Sequence, residues 1–481
     1  MQLTVIVRTL GLLFVLFSTT LLPPLLLALW DADGEATHFS FTFAIALTAG
    51  LALWFPFRRV PATIRTRDGF AIVAFLWTAM SVLGSVPFML ALDLSFPEAL
   101  FESASGYTTT GSTVVDGLDA LPRSILLYRQ ELQWLGGIGV IVLAVALLPM
   151  LGIGGMQLFK AEVPGPFKDE RMSPRIARSA RSLSVVYVVL TLLCAFCFWL
   201  AGMEPFDAVA HSLSTLSTGG YSTHDASLAY FESPAVEAVA VFFMLVGGIS
   251  FSVHFVVWRT ARISTYLSDT QTRAFLLTVA GLTLFAAFLL YRSGFQSEPV
   301  QAFRYAIFQV VSVITTTGFG ITDFSEWSLS LPVLLIFSSF VGGAAGSTSG
   351  GIKMIRFVIL GKQASVHVHR LIHPRALIPI RVDRRVVSDS VINGMWGFFA
   401  IYVGVFALFM IALMMDGMDQ VTAFGAVATC LNNLGPGLGD VALNFIGVSD
   451  VSKLLLVLAM LLGRLEIFTF LVLLTPAFWR R

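Results

Sequence analysis

Apolar runs of membrane-crossing length recur along the whole chain, among them Ile72–Leu92, Val185–Ala201 and Phe275–Leu290. A helix needs about 20 such residues to cross a bilayer. Inside the hydrocarbon every backbone polar group must be bonded within the protein, which restricts such runs to helices. The expected fold is therefore an all-α integral membrane protein. Composition agrees, with 56% hydrophobic and 12% charged residues, against about 25% charged in a soluble protein. A soluble fold is excluded. The first apolar run, Leu10–Trp30, follows a single Arg8. It is too long for a signal peptide and lacks a small-residue cleavage site. It reads as a spanning helix that Pro23-Pro24 kinks or ends.

Charge is distributed by loop. Arg58, Arg59, Arg65 and Arg67 share one loop, and Lys160, Lys168, Arg171, Arg175, Arg178 and Arg181 share another. A third carries Lys353, Arg356, Lys362, Arg370, Arg375, Arg381, Arg384 and Arg385. The alternate loops hold acids: Asp31, Asp33 and Glu35; Glu98, Glu102, Asp116 and Asp119; Asp416 and Asp419. The positive-inside rule puts the basic loops and both termini in the cytoplasm. The net charge of +1 points to no nucleic-acid partner. Cys194 and Cys197 have redox-motif spacing but lie in an apolar run, and Cys430 stands alone; all three read as small packing residues.

A pattern recurs four times: a spanning helix, a short apolar segment, a polar Gly-containing tract, and a second spanning helix interrupted by glycine. The tracts are Thr108-Thr109-Thr110-Gly111-Ser112, Leu216-Ser217-Thr218-Gly219-Gly220, Thr315-Thr316-Thr317-Gly318-Phe319-Gly320 and Asn432-Asn433-Leu434-Gly435-Pro436-Gly437. Gly136-Gly137, Gly247-Gly248, Gly342-Gly343 and Gly463 follow them at 25, 28, 24 and 28 residues from the tract glycine. The preceding segments, Phe96–Tyr107, Pro205–Thr215, Val300–Ile314 and Val421–Leu431, are too short to span and suit re-entrant helices. Each has an acid at or before its start: Glu98, Asp207, Glu298 and Asp419. An acid suits a helix N-terminus, and the opposite end, aimed at the membrane centre, favours a cation. The expected organisation is an N-terminal hairpin over 1–60 and repeats over 69–160, 182–262, 273–362 and 388–481, ten spanning helices around one pore.

Such tracts suit cation selection. A dehydrated cation needs oxygens in place of its water, and a ring of backbone carbonyls provides them. Glycine permits the torsions that turn successive carbonyls inward. Candidate filter residues are Thr109, Thr110 and Gly111; Ser217, Thr218, Gly219 and Gly220; Thr316, Thr317 and Gly318; and Asn432, Asn433, Leu434 and Gly435. Either Gly219 or Gly220 can be the filter glycine of the second tract, with alignment by eye favouring Gly219.

These tracts, together with Phe340–Arg356, Gln133-Trp134-Leu135-Gly136-Gly137, Gly155-Met156-Gln157-Leu158, Pro164-Gly165-Pro166, Ser222–Ser227 and Gly463-Arg464-Leu465, resemble the Trk/Ktr/HKT superfamily of potassium transporters, and within it the bacterial TrkH branch. The match covers essentially the whole chain, including the N-terminal hairpin. The resemblance implies four pore-forming units around one path in the bacterial inner membrane, with potassium as the permeant ion and no organic cofactor. It also implies homodimers and a cytoplasmic ring of TrkA-type nucleotide-binding subunits on the basic face. Family members with serine at the first filter glycine tend to favour sodium. The glycines at 111, 219, 318 and 435 resemble the potassium-selective branch. The fourth tract departs by replacing threonine with Asn432-Asn433.

Ten residues, Gly342 to Gly351, lie where the third repeat's second helix should run on. Glycine costs about 1 kcal/mol in a helix interior, so an unwound loop is expected, placed to gate the pore. Candidate gate residues are Gly342, Gly343, Gly346, Ser347, Thr348, Gly350, Gly351 and Lys353, with Arg464. The loop is not a phosphate-binding loop, because the Gly-Lys-Ser/Thr order is missing. Arg464 starts an apolar run in which Glu466 is the other charge. An intramembrane charge marks function by default, and residues two apart on a helix do not face each other. Arg464 is thus expected to face the pore. His211, His224 and Asp225 read as solvated residues of the pore mouth, and His367, His369 and His373 as part of a basic docking face. No nucleophile–base pair or zinc motif suggests an enzyme. The competing reading is a symporter coupling potassium to protons or sodium.

Overall fold

The computed structural model describes residues 2–60, 66–146, 174–327, 330–383 and 385–480. The motifs at 155–158 and 164–166, with Arg65, Lys160, Lys168, Arg171 and Arg384, lie outside the described residues.

The described chain is almost wholly helical. Its one β pairing is a two-residue antiparallel contact of Arg381–Val382 with Arg385–Val386. The N-terminal hairpin consists of Leu3–Thr20 and Leu22–Asp31, broken at Leu21, and the return helix Ala36–Trp54. The break precedes Pro23, which sits in the first turn of the second segment, where a missing N–H costs nothing.

Four repeats follow. The first has Thr66–Gly84 continued by Val86–Ala91, the short helix Phe96–Tyr107, and Arg123–Ala146. The second has Pro174–Leu200, Pro205–Ser217, and Pro234–Gly248 bent by 98° to Phe251–Thr260. The third has Thr270–Arg292, Pro299–Ile314, and Leu331–Val341 separated by a loop from Met354–Ile372. The fourth has Asp389–Met415, Gln420–Asn432, and Asp450–Arg464 bent by 112° to Ile467–Leu474. Among the described residues, six helices are long and apolar enough to cross a membrane, or eight with each bent pair as one span. The expected ten would also need Arg123–Ala146, which carries Arg129 and Glu131, and the third repeat's split helix, in which Leu331–Val341 is a shorter apolar helix.

The short helices start as their sequences dictate. Ser95 and Glu98 form a capping box, with Ser95 N donating to Glu98 Oε2 at 3.1 Å. Asp419 caps the fourth by accepting from Val421 N at 2.8 Å and Thr422 N at 3.2 Å. Proline sits in the first turn of the other three.

One expectation fails. The first repeat's second helix is not interrupted at its glycines but runs unbroken through Gly136-Gly137. A Cβ on Gly136 would lie 2.0 Å from Tyr107 O, and one on Gly137 would lie 3.1 Å from Ser217 Cα. Here glycine permits close packing under two tracts rather than a bend.

Candidate functional site

The four tracts leave the C-terminal ends of the four short helices with the same backbone turn. Thr109, Thr218, Thr316 and Asn433 hold φ of 51°, 52°, 55° and 56°. Two residues later Gly111, Gly220, Gly318 and Gly435 hold φ of 85°, 82°, 85° and 107°. Positive φ is uncommon outside glycine and is least unfavourable for Asn, so three threonines carry strain that Asn433 avoids at its own position. The shared pattern sets the register of the second tract: Gly220, not Gly219, is equivalent to the other three glycines.

These glycines touch in a closed ring. A Cβ on Gly111 would lie 2.1 Å from Gly219 O, and one on Gly220 would lie 1.9 Å from Thr317 O. On Gly318 it would meet Leu434 O at 2.2 Å, and on Gly435 it would meet Thr110 O at 3.0 Å. The order runs first, second, third, fourth and back to first. The glycines at 111, 220 and 318 keep partial exposure, whereas Thr109, Thr110, Thr316, Thr317, Asn432 and Asn433 are fully buried.

Side chains fix the tracts. Thr108 and Thr110 share a hydroxyl–hydroxyl bond of 2.6 Å, as do Thr315 and Thr317 at 2.7 Å. Gln133 braces the second tract: its Nε2 donates to Gly219 O at 2.7 Å, while its Oε1 accepts from Ser214 Oγ at 2.7 Å and Tyr221 N at 3.1 Å. In the fourth tract Asn433 Nδ2 donates to Thr110 Oγ1 at 2.9 Å, and Asn432 Oδ1 accepts from Tyr402 OH at 2.6 Å. Ser112 Oγ donates to Gly435 O at 2.9 Å. Behind the first and second tracts, the fully buried Glu102 and Arg129 pair at 2.8 Å. Glu102 also accepts from Val114 N at 3.0 Å, and Arg129 reaches Ser222 O at 3.3 Å. Sequence reading missed the supporting roles of Gln133, Glu102 and Arg129. The available signal was three polar residues, Arg129, Glu131 and Gln133, on alternate positions of a spanning helix.

The Gly342–Lys353 stretch is an unwound loop packed against the tracts. It is tied to three repeats. Thr348 N donates to Gly247 O at 3.2 Å, and Thr348 Oγ1 to Leu216 O at 2.9 Å, both at the bend and tract of the second repeat. Gly350 N donates to Thr316 Oγ1 at 2.6 Å, and Gly351 N to Asn432 O at 3.0 Å. Ala344 N and Gly346 O add bonds to Gly248 O and Phe251 N. Ser347, Thr348 and Ser349 are fully buried. Lys353 Nζ turns back to Ser349 O. Arg464, at the end of Asp450–Arg464, donates from Nη1 to Thr348 O at 2.8 Å. Its Nε and Nη2 are buried and have no hydrogen-bond partner. Glu466 does not pair with Arg464 but with Arg356, at 2.7 Å.

The histidines expected to be solvated are not. His211 is not solvated but fully buried, its ring nitrogens 2.9 Å from Asp207 O and from Ser222 Oγ. The short helix carries it inward, where it ties that helix to Ser222 beyond the tract. His224 is half-buried, stacked on Tyr230 with ring centroids 3.5 Å apart, between Asp119 and Asp207, and Asp225 is exposed. His367, His369 and His373 lie on or just after the exposed end of Met354–Ile372. Among the described residues no cluster of His, Cys, Asp and Glu could hold a metal ion.

Comparison with known proteins adds independent findings. Residues 36–481 match the family model TrkH, described as a cation transport protein. The chain is 50% identical over 484 residues to the Trk system potassium uptake protein TrkH of Vibrio parahaemolyticus, covering 100% of both. It is 45% identical over 482 residues to that of Escherichia coli, again covering 100% of both. The crystal structure of the potassium transporter TrkH from Vibrio parahaemolyticus superposes with a TM-score of 0.93 at 48% identity, covering 100% of both chains.

Proposed function

The chain belongs to the TrkH family of cation transport proteins and is a transporter rather than an enzyme; on that premise we propose that it takes up potassium through the ring of four tracts, gated from below by the Gly342–Lys353 loop and Arg464. The observation that carries this reading is the closed ring of four positive-φ glycines, one per repeat. Carbonyls held around such a ring can replace an ion's hydration shell. The loop beneath is buried and bonded to tract residues of three repeats, as a closed gate requires. A fixed guanidinium with two unpartnered nitrogens under the ring repels a descending cation.

The proposal includes the finer sequence expectations: a hairpin over 1–60 and repeats over 69–160, 182–262, 273–362 and 388–481, both termini in the cytoplasm of a bacterial inner-membrane protein, a homodimer, and a nucleotide-binding ring on the basic face. Single-channel recording of the purified chain in planar bilayers tests the core of it. Potassium currents without a proton gradient are expected; transport that stops without one overturns the channel reading. The symport reading draws on Glu131, a buried carboxyl in a spanning helix whose Oε2 has no hydrogen-bond partner. Glu131→Gln should leave the currents unchanged under the channel reading and abolish coupling under the other.

A further inference from the structure

Arg356 is a charged residue almost out of contact with solvent, 3% exposed, in the first turn of the helix that leaves the Gly-rich loop. Three elements hold its guanidinium. Nη2 donates to Glu466 Oε2 at 2.7 Å, Nη1 donates to Ile352 O at 2.7 Å, and the ring of Phe398 lies 4.0 Å below. Glu466 stands at the 112° corner of the fourth repeat, with φ of 55°, in a backbone region that L-residues seldom occupy. The same corner carries Arg464, whose Nη1 holds Thr348 O inside the loop. Residues 464 and 466 thus grip the loop and the helix that follows it at once.

We infer that the Arg356–Glu466 ion pair is a positioning latch, which ties the helix leaving the loop to the corner carrying Arg464 and so keeps the loop beneath the tracts. The inference rests on the gate reading proposed above and extends it to two residues outside the four tracts. The loop cannot leave the ring while both of its attachments hold. The two ends of the loop are bonded to each other, Ile352 N donating to Phe340 O at 2.9 Å and Met354 N to Gly343 O at 3.0 Å. The loop's ends are thereby held to the first turn of Met354–Ile372, and Arg356 in that turn ties the helix to the corner of the fourth repeat. A buried ion pair is suited to this role. Removing one partner strands a charge, so the pair behaves as a unit with two states, made or broken.

The test is single-channel recording of the full chain carrying Glu466→Gln, Arg356→Gln, or both. Each single change should raise open probability about tenfold, the effect of losing about 1.4 kcal/mol of coupling. Unitary conductance and the potassium-to-sodium reversal potential should stay as they were. The double variant should match the singles rather than multiply them, because the second change removes a contact already lost. A residue with only a structural role would not give this combination. Unchanged open probability in Glu466→Gln, or multiplicative effects in the double variant, overturns the inference. If the single variants do not fold, the double variant, with no stranded charge, decides alone: raised open probability supports the latch, unchanged overturns it. Arg464→Ala separates the two readings. Should it raise flux while Glu466→Gln does not, the latch fails and the gate stands. Should it leave flux unchanged, the gate reading fails and takes the latch with it.

Discussion

Asn433 and Thr110 are 323 residues apart in sequence, yet the amide Nδ2 of the first donates to the hydroxyl of the second at 2.9 Å. That bond joins the fourth tract to the first and closes the ring of repeats. It also gives the unusual asparagine of the fourth tract a role that threonine cannot fill. Asparagine tolerates φ of 56°, and its amide reaches across the seam and also to Met460 O at 3.1 Å.

Asn433→Ala removes both bonds and leaves Thr110 without its seam partner. A buried hydrogen bond lost in this way costs about 1–3 kcal/mol. The expected result is a weaker preference for potassium over sodium, read as a shift in reversal potential under bi-ionic conditions, with the protein still folded. An unshifted reversal potential would separate the seam from selectivity.

Gly220→Ala and Gly219→Ala make a matched test of register. A Cβ at 220 would lie 1.9 Å from Thr317 O, at φ of 82°, and neither backbone can yield. At 219 the nearest atoms, at 2.4 Å, belong to the side chain of Gln133, which can turn aside. Potassium uptake into deficient cells should fall much further with Gly220→Ala than with Gly219→Ala. Equal losses would contradict the assigned equivalence.

Gly318→Ser places a side chain 2.2 Å from Leu434 O in the ring. It should relax discrimination between potassium and sodium, measured by competing the two ions in a rubidium-uptake assay. Retained discrimination would remove these tracts as the filter.

Shortening the loop by deleting Ser347 and Thr348 takes away the bonds to Gly247 O and Leu216 O and the acceptor of Arg464. Basal rubidium flux into proteoliposomes should rise several-fold, about the effect of 1 kcal/mol. A flux equal to that of the unmodified chain would show that the loop does not obstruct the path.

Arg129→Met strands the Glu102 carboxylate in a fully buried position. Breaking a buried pair costs about 3–5 kcal/mol, so thermal stability in detergent should fall by several degrees. Changing both partners to apolar residues should recover part of the loss. A melting temperature unaffected by the single change would mean that Glu102 finds another donor.

The helices and the tracts were legible in the sequence because they rest on local signals: apolar runs, proline and acidic helix starts, and the repeated Gly-containing tracts. The Phe96–Tyr107 helix has the bounds its sequence suggested. Less legible was what depends on neighbours distant in sequence. Gly136-Gly137 looks like Gly247-Gly248 as a string, but the first pair is packed under Tyr107 O and Ser217 in a straight helix and the second lies at a bend. The identity of the ring glycine at 220 needed the torsions of all four tracts side by side. His211 sits six residues before Ser217 and reads as a mouth residue, yet its helix turns it inward to Ser222. Glu466 finds its partner 110 positions away at Arg356, a pairing with no trace in local sequence.

The seam between the fourth and first repeats carries a consequence for how the protein is made. Thr110–Asn433, Ser112–Gly435, Thr113–Phe445 and Glu98–Lys453 all join residues delivered by the ribosome more than 300 positions apart. The first three tracts therefore reach the membrane as an open horseshoe, with the carbonyls and hydroxyls at its free end awaiting partners. Contacts of such separation are the slowest to form. The contacts that close the ring can form only after the last repeat has been made.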